Sequence, residues 1–272
     1  MDAAAVLRWD FWSRWAESAR PGELLAELRS ARLLSQHPEL AALPDVQQDP
    51  LWHPEGDVWT HTLHVCDAAA AISIREQLEP PERQTLLLAA LCHDFGKPAT
   101  TLFAGGRWKA PGHPQAGVPL AESFLRRVDA PDFLLAAVLP LVAEHLAHAQ
   151  PNLNSAAIRR LLRRLCPASL QQLIWLIEAD LSGRPPLPRG LSAELRQFAE
   201  RSLAVQESMS VESPSPAVQP LILGRHLIAL GFQPGVHFRR ILQTCLEAQI
   251  RGEFATEADG LDYLKRVSRS DE

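Results

Sequence analysis

The chain has 272 residues, of which 46% are hydrophobic and 22% charged, a composition that suits one main core with at most a small second domain. Its formal net charge of -5 argues against nucleic-acid binding through overall charge, although a local basic patch is compatible with it. The four cysteines form no Cys-x-x-Cys pair, which predicts reduced thiols and a cytoplasmic location. We expect no membrane association, because there is no signal-peptide profile and no uninterrupted apolar run of about 18 residues.

Apolar residues recur every three to four positions in almost every long segment, and β-branched residues rarely cluster. This pattern predicts an all-α fold. The predicted helices span 3–19, 23–35, a short turn from 37, 58–77, 82–93, 115–128, 131–149, 155–166, 170–179, 192–207, 224–230 and 238–250. Pro119 and Pro140 are expected to kink or shorten the two helices that contain them.

Breaks between these segments predict the domain organisation. Residues 1–50 are expected to form an N-terminal helical segment that packs on the core, and residues 51–207 the main domain. The Ser- and Pro-rich stretch 208–220 is typical of a linker. Residues 221–272 then form a small helical C-terminal unit.

The central stretch is an apolar run, 86–92, that ends abruptly in His93 and Asp94. The run predicts a buried helix, with Gly96 at its C-terminus and Pro98 preventing its continuation. Burying a bare carboxylate is costly, so a bound cation would give the pair a partner. The stretch therefore predicts metal ligands at the floor of a pocket. The alternative is a helix end with a capping histidine and an exposed aspartate.

Other segments carry residues of the same kinds. His61 and His64 lie three positions apart at the start of helix 58–77, and His145 comes late in helix 131–149. His113 belongs to the polar, Gly-rich loop 98–114, whose alternative interpretation is a solvated connection.

Two other helices, 170–179 and 155–166, carry or precede polar residues for which we compare a functional with a structural interpretation. Asp180 follows the apolar helix 170–179 and repeats the pattern of a buried helix that ends in a carboxylate. Four arginines on helix 155–166 are interpreted as a solvated face in preference to a phosphate-binding patch.

Taken together, His61, His93, Asp94, His113, His145 and Asp180 are spread over four helices and a loop. Helical bundles build metal sites from side chains on several helices. Mixed imidazole and carboxylate ligands suit a divalent ion such as Mn, Ni, Co, Fe, Mg or Zn, with weak selection among them.

An ordered series of phrases carries a family resemblance. The phrases are HPEGDVWTHT at 53–62, HDFGKP at 93–98, GHPQAG at 112–117, ADLSGR at 179–184 and LGRHLIALG at 223–231. The His-Asp pattern resembles the HD-domain metal-dependent phosphohydrolases. The whole series resembles the C-terminal half of bacterial tRNA nucleotidyltransferases, the multifunctional CCA proteins, over roughly residues 37–265.

The resemblance implies an HD-domain helical bundle with a small C-terminal helical unit. It also implies hydrolysis of nucleotide or RNA-end phosphoesters, of the 2′,3′-cyclic phosphodiester or 2′-phosphate type, with tRNA as a possible partner. The nucleotidyltransferase head of those enzymes uses a Gly-Ser loop followed by Asp-x-Asp. The 272 residues contain neither pattern, so we do not expect them to add CCA.

On this basis we assign roles as a hypothesis. His61, His93, Asp94 and Asp180 hold one divalent ion, while His113 and His145 hold a second ion or face the substrate phosphate. Asp94 orients the attacking water and takes its proton. Lys97 and Arg107 offset phosphoryl charge, with a plain surface lysine as the alternative for Lys97. His64 supports a ligand or donates a proton to the leaving oxygen.

Two alternatives remain from another functional class. The chain could be a non-catalytic tRNA or RNA-end binding module derived from a CCA-adding enzyme. It could also be a body subunit that works with a separate nucleotidyltransferase head. The sequence does not predict the oligomeric state.

Overall fold

The computed structural model describes residues 4–149, 154–212, 221–230, 232, 236–250, 253–254 and 256–268. The described residues are helical apart from turns, loops and one two-stranded sheet, so the prediction of an all-α fold is confirmed. The chain divides into two compact units, Met1–Met209 and Ser210–Glu272. Each unit has its own hydrophobic core.

The first unit contains most of the secondary structure. Its helices and strands are α1 Trp9–Glu17, α2 Pro21–Ser30, α3 Pro38–Ala41, α4 Val58–Arg75, α5 Pro80–Cys92, α6 Lys97–Thr100, β1 Leu102–Ala104, β2 Arg107–Lys109, α7 His113–Arg127, α8 Asp132–Glu144, α9 Ser155–Leu165, α10 Leu170–Ser182 and α11 Ala193–Glu212. Short 3-10 turns lie at Ala5–Leu7, Leu34–Gln36 and Ala147–Ala149. The second unit contains α12 Gly224–Ala229, α13 Val236–Ile250 and α14 Glu257–Ser268.

Helix α5 is the centre of the first unit. It packs against α1, α4, α8 and α10. Because neighbours surround it, every residue from Thr85 to Cys92 is buried, whichever face of the helix it occupies. This explains why its sequence is a continuous apolar run and not an amphipathic pattern. The floor of any site at its C-terminal end is therefore held by the core itself.

The N-terminal segment packs on this core through two tryptophans of α1. Trp12 is fully buried, and its indole N–H donates to the carbonyl of Val6 at 2.8 Å. The ring of Trp12 also meets His37 and Phe124 edge to face. The indole N–H groups of the two buried tryptophans of α1 thus both have partners, since Trp15 donates to the carbonyl of Pro21.

The prediction that Gly96 closes the C-terminal end of α5 is wrong. Gly96 has φ -79° and heads α6, so it does not close α5 in a left-handed conformation. Its small size is needed instead, because a Cβ at this position would lie 2.1 Å from the carbonyl oxygen of His113 and 2.7 Å from the amide nitrogen of Gly117. Pro98 is accommodated in the first turn of α6. The backbone of α7 therefore lies directly against the turn that follows Asp94.

The predicted loop 98–114 also contains regular structure. It begins in α6 and continues as an antiparallel hairpin in which Phe103 pairs with Trp108. Gly105 and Gly106 form its turn with φ of 63° and 75°, a conformation that glycine adopts without strain. Pro119 and Pro140 lie inside α7 and α8, which run through them.

Two other predictions concern segments that lie partly outside the described residues. Helix α11 runs to Glu212, into the predicted linker 208–220, and residues 213–220 lie outside the described residues. The predicted turn 231–235 also lies outside them, except for Phe232.

One stretch, Asp132–Ala149, is long and apolar enough to cross a membrane by length and composition, which the sequence analysis did not anticipate. It comprises α8 and the 3-10 turn after it, and α8 packs against α5 and α7. Because core helices of helical domains pass the same test, the stretch is a weak indication of a membrane span.

The first prediction concerns the contact between Gly96 and α7. We expect Gly96→Ala to lower the free energy of unfolding by about 2–3 kcal/mol, because backbone atoms must move to admit the methyl group. Urea unfolding measures this difference. Gly224→Ala is the matched control, since its added methyl would lie 3.8 Å from Phe238, at ordinary contact distance. Equal stability of Gly96→Ala and wild type would contradict the prediction.

The second prediction concerns the buried ion pair between Glu39 and Arg127, which form two hydrogen bonds of 2.6 and 2.7 Å. Burial alone would raise the pKa of Glu39, but the hydrogen bonds from Arg127 hold it below its usual value. A carboxylate of this kind stabilises the fold above its unfolded pKa of about 4.3, and the contribution is lost as the pH falls through the lowered folded pKa.

We therefore expect Glu39→Gln to lower the free energy of unfolding by about 1–3 kcal/mol near neutral pH, with the difference from wild type shrinking as the pH falls below the unfolded pKa of about 4.3. Urea unfolding across this pH range measures it. Glu122→Gln, which breaks an exposed pair with Arg126, is the control and should change little. A difference that stays constant with pH would count against the assignment.

Candidate metal centre

The C-terminal end of α5 delivers the central pair. The helix ends at Cys92, and His93 and Asp94 follow, each with only 1% of its surface exposed. The alternative of an exposed aspartate beside a capping histidine is therefore wrong. Both groups are ionisable and lie in the core, so their partners decide what the site can do.

Four other segments bring their side chains to the same place. His61 lies in the first turn of α4, whose start is set by Asp57, because the Asp57 carboxylate accepts the amide N–H of Thr60. Asp180 lies in the last turn of α10, which begins with a capping box formed by Ser169 and Gln172. His113 begins α7, and His145 follows the last residue of α8.

The six predicted ligands form one continuous cluster. Asp94 is its centre: the Nε2 atom of His93 lies 3.2 Å from Oδ2 and that of His113 lies 3.3 Å from Oδ1. The Nε2 atom of His61 lies 3.1 Å from Oδ1 of Asp180 and 3.8 Å from Oδ2 of Asp94. His113 and His145 approach each other at 3.1 Å between their Nε2 atoms. The structure thus brings together all six residues.

Hydrogen bonds to backbone carbonyls orient three of the imidazoles. The Nδ1–H groups of His93, His113 and His145 donate to the carbonyl oxygens of Ala90, Ala110 and Val142, at 2.8, 2.7 and 2.8 Å. A neutral imidazole has a single N–H, so each Nε2 atom carries a lone pair directed at the cluster. This is the tautomer in which a histidine binds a metal through Nε2.

The contact between His113 and His145 has a direct consequence. Two Nε2 lone pairs that face each other at 3.1 Å repel unless a proton or a cation lies between them or beside both. Burial and the nearby imidazoles lower the pKa of His145 to about 3, and burial also lowers the pKa of His113. A proton is therefore a poor partner near neutral pH, whereas a metal ion fits.

Glu55 orients the fourth imidazole. Its fully buried side chain places Oε1 2.7 Å from Nδ1 of His61 and 2.9 Å from Nδ1 of His53. Burial alone would raise the pKa of Glu55, but its contacts with His53 and His61 lower it to about 2. A carboxylate on the remote nitrogen of a metal-binding histidine fixes the ring and raises its basicity.

The donor set fits a divalent cation. Nε2 of His61, Nε2 of His93 and both carboxylate oxygens of Asp94 are buried and make no hydrogen bond of good geometry among the described residues, although Lys97 forms an ion pair with Oδ2 of Asp94 and Asp180 lies 3.1 Å from His61. Buried polar atoms almost always make well-formed hydrogen bonds, so four such atoms at one point need an explanation. A metal ion would satisfy them together.

Two groups of three ligand atoms are close enough for this role. One is His61, His93 and Asp94, and the other is Asp94, His113 and His145; within each group the atoms lie within 4.8 Å of one another. Asp94 was predicted to contribute to a single site, but its Oδ2 atom lies beside His61 and His93 and its Oδ1 atom beside His113, so it belongs to both groups.

Asp180 has a second charged partner besides His61. Its Oδ1 atom also accepts a hydrogen bond from Arg184 at 2.7 Å. Burial would raise the pKa of Asp180, yet Arg184 and His61 hold it well below the ordinary value. Asp180 therefore stays ionised beside His61, and its position is set by a cation from the next turn of the chain.

Lys97 is part of the cluster. It is only 7% exposed, and its ammonium lies 2.7 Å from Oδ2 of Asp94 and 2.7 Å from Oε1 of Gln48. The alternative of a plain surface lysine is therefore wrong. Although burial would raise the pKa of Asp94, His93 and Lys97 hold it well below its ordinary value.

Two predicted residues have different surroundings. Arg107 is 46% exposed on β2 and forms an ion pair of 2.5 Å with Asp49. His64 takes part in none of the contacts that join the cluster among the described residues. Its electrostatic partner is Asp67, whose carboxylate accepts the amide N–H of Gly22 on α2. The structure therefore does not bring His64 to the site.

A cavity of about 540 Å³ opens above this cluster. Asp94, His113, His145 and Asp180 line its floor. Four cationic side chains, from Lys97, Arg107, Lys109 and Arg184, and two tryptophans, Trp52 and Trp108, also line the cavity. Candidate metal ligands beside several cations suit an anionic substrate.

Several residues of the site were not singled out from the sequence. They are Gln48, His53, Glu55, His148 and Arg184. His53, Glu55 and Arg184 lie in the phrases that carried the family resemblance, so a signal was present for them. Gln48 and His148 lie in no such phrase.

Residues 58–176 match the HD domain family. The chain contains an HD domain. HD domains belong to a superfamily of metal-dependent phosphohydrolases and bind divalent metals, which agrees with the cluster. The matched range includes five of the six cluster residues, His61, His93, Asp94, His113 and His145, and Asp180 follows it.

The HD domain and its flanks are also similar to CCA-adding enzymes. The chain is 31% identical over 230 residues to the CC-adding tRNA nucleotidyltransferase of Thermus thermophilus, covering 84% of this chain and 48% of the relative. It is 34% identical over 182 residues to the multifunctional CCA protein of Ralstonia nicotianae, covering 65% and 40%. For that of Cupriavidus metallidurans the identity is 32% over 206 residues, covering 74% and 46%. The chain thus spans about half the length of these relatives or less.

The third prediction tests the orientation of His61. We expect Glu55→Gln to weaken Mn²⁺ binding by about 10- to 100-fold, because the neutral amide no longer polarises the imidazole. Calorimetric titration of the metal-free protein with Mn²⁺ measures the affinity. Glu178→Gln is the matched control, since Glu178 pairs with Arg75 and not with the cluster. Unchanged affinity in Glu55→Gln would refute the role of Glu55.

Proposed function

We propose that this chain is a metal-dependent phosphohydrolase that acts on nucleotide or RNA-end phosphoesters of the 2′,3′-cyclic phosphodiester or 2′-phosphate type. The observation that carries the proposal is the cluster of buried Nε2 and carboxylate atoms around Asp94 that lack hydrogen bonds of good geometry, beside a cavity that four cationic side chains also line. The HD domain supports the reaction class, and the similarity to CCA-adding enzymes supports nucleotides or RNA ends as the substrate class.

His61, His93, Asp94 and Asp180 would hold one divalent ion, and His113 and His145 a second ion or the substrate phosphate. When bound, such an ion lowers the pKa of a coordinated water molecule and offsets negative charge on the phosphoryl oxygens. The mixture of imidazole and carboxylate ligands is compatible with Mn, Ni, Co, Fe, Mg or Zn.

Asp94 is suited to orienting the attacking water. Its contacts with His93 and Lys97 keep its pKa well below the ordinary value, so it is a weak base. It would therefore act mainly as a hydrogen-bond acceptor that points the water at phosphorus, and less as the proton acceptor expected from the sequence. Lys97, held between Asp94 and Gln48, fixes the carboxylate for this purpose.

The phosphate charge would be offset by the cations of the cavity. Lys97 and Arg184 are largely buried beside the cluster, where electrostatic interactions are strong. Arg107 contributes less, because Asp49 already neutralises much of its charge. His64 is assigned no catalytic step, because its surroundings do not connect it to the cavity.

One observation supports the alternative class. The chain spans about half the length of its relatives, which are named for CCA or CC addition to tRNA. It could therefore be a tRNA or RNA-end binding module without turnover, or a body that works with a separate nucleotidyltransferase head. The cytoplasmic location stays a prediction.

The fourth prediction is metal-dependent hydrolysis. We expect the wild type to hydrolyse bis-p-nitrophenyl phosphate and 2′,3′-cyclic AMP when Mn²⁺, Ni²⁺ or Co²⁺ is added. His93→Ala and Asp94→Ala should each lower the rate by at least about 100-fold, because each removes a ligand of the ion. Release of p-nitrophenol and of adenosine monophosphate measures the rates, and Glu178→Gln is the control.

Equal rates in the wild type and both ligand variants would refute the catalytic proposal. In that case, an electrophoretic shift of tRNA that weakens strongly between low and moderate salt would favour the binding module. Co-purification of a second chain with nucleotidyltransferase activity would favour the body subunit.

A further inference from the structure

We propose that Trp52 and Trp108 form the nucleobase-binding part of the cavity. They would stack on the base of a nucleotide whose phosphate faces the metal cluster. The inference rests on the proposed function for the position of the phosphate, and it adds which part of the substrate the outer cavity recognises.

The two tryptophans have an unusual environment for large apolar side chains. Trp52 is 57% exposed, and it lines the same cavity as the ligands Asp94, His113 and His145. Trp108 is half-buried on β2 and lines that cavity too. Phe103, the cross-strand partner of Trp108, is also exposed. Exposed apolar surface concentrated at the mouth of a polar cavity is typical of a ligand-binding surface.

The segments that carry these side chains are joined to each other. Asp49, in the loop before Trp52, forms the ion pair with Arg107, next to Trp108. The carbonyl of Asp49 accepts the backbone N–H groups of Trp52 and His53, at 3.0 and 2.8 Å, which form a turn. The loop and the hairpin are therefore tied across the cavity mouth.

A contact with Phe103 supports the ring of Trp108. Phe103 is its cross-strand partner, and the two rings meet edge to face with centroids 5.1 Å apart. Edge-to-face packing restrains the indole ring without covering it fully. Trp108 thus presents a ring of fixed orientation, which costs a ligand little conformational entropy on binding.

The cavity is larger than a phosphate needs. Its volume of about 540 Å³ lies within the range of pockets that hold whole small molecules, roughly 300–1,000 Å³. Cations near the floor, at Lys97 and Arg184, match the phosphate, while the aromatic side chains lie with the loop and the hairpin that form the wall. Aromatic rings combined with cationic groups are the usual way in which proteins bind unpaired nucleotides.

Stacking has a consequence for specificity. Every base has a flat π-face, so stacking on tryptophan tolerates different bases. We therefore expect adenine, guanine, cytosine and uracil nucleotides to bind with similar affinity, whereas a sugar phosphate without a base binds more weakly.

The test is calorimetric binding of AMP and of ribose 5-phosphate to the Mn²⁺-loaded full chain. Wild type should bind AMP more tightly than ribose 5-phosphate. Trp108→Ala and Trp52→Ala should each weaken AMP binding by about tenfold and leave ribose 5-phosphate binding unchanged. Trp108→Phe should retain most of the AMP affinity, because it keeps an aromatic ring.

Two exposed side chains outside the cavity lining serve as controls: Leu51→Ala in the same loop as Trp52, and Phe133→Ala on α8. Neither should change AMP binding. Equal affinity of wild type for AMP and ribose 5-phosphate would overturn the inference, and so would an equal loss of both ligands in the tryptophan variants. Because the readout is binding, absence of hydrolysis would refute the proposed function without deciding this inference.

A further arm distinguishes the two sources of the base. If the single-stranded trinucleotide ApApA binds more tightly than AMP and loses affinity in Trp108→Ala, the occupant is the end of an RNA. If it binds no more tightly than AMP while AMP still depends on Trp108, the occupant is a free nucleotide. Both results support the aromatic base site.

Discussion

The burial of Asp94 is the constraint on which the rest of this structure depends. A carboxylate in the core is costly unless charges or hydrogen bonds surround it, and its two oxygens make no hydrogen bond among the described residues. Its neighbours His93 and Lys97, from the same stretch of chain, and His113, from the start of α7, compensate for the charge. A cation would complete this compensation. Helix α5 packs against four other helices, so the residues that follow its C-terminal end, including Asp94, lie close to several segments.

The C-terminal ends of α5 and α8 also orient two histidines of the cluster. The last carbonyl groups of a helix lack intrahelical partners. His93 and His145 each follow the last residue of a helix, and their Nδ1–H groups donate to the carbonyls of Ala90 and Val142. The same hydrogen bonds satisfy free carbonyls and direct both Nε2 atoms at the cluster. The residues that end these two helices therefore also orient the imidazoles. His61 lies at the start of a helix, where no carbonyl is free, and Glu55 orients its ring instead.

Much of this arrangement was predictable from local pattern. The helices, the buried run before His93 and all six cluster residues follow from periodicity, composition and family phrases, since burial and helical spacing leave a direct mark on sequence. The errors have physical causes. Gly96 was interpreted as a helix terminator, but its role depends on the backbone of α7, which is distant in sequence. Lys97 was ambiguous, because the contacts that bury it come from Asp94 and Gln48 together. His64 was attractive by spacing alone, although its surroundings connect it to Asp67 instead.

The sequence by itself determined the fold class, the residue types that are candidates for metal binding and the chemistry that they allow, because these depend on local periodicity and on the side chains present. Only the tertiary structure decided which atoms face one another. It placed both oxygens of Asp94 between two groups of histidines, paired Asp180 with Arg184, and tied the loop of Trp52 to the hairpin of Trp108. These contacts join residues that are distant along the chain. Their geometry is set by how the helices pack around α5, and no local pattern records that packing.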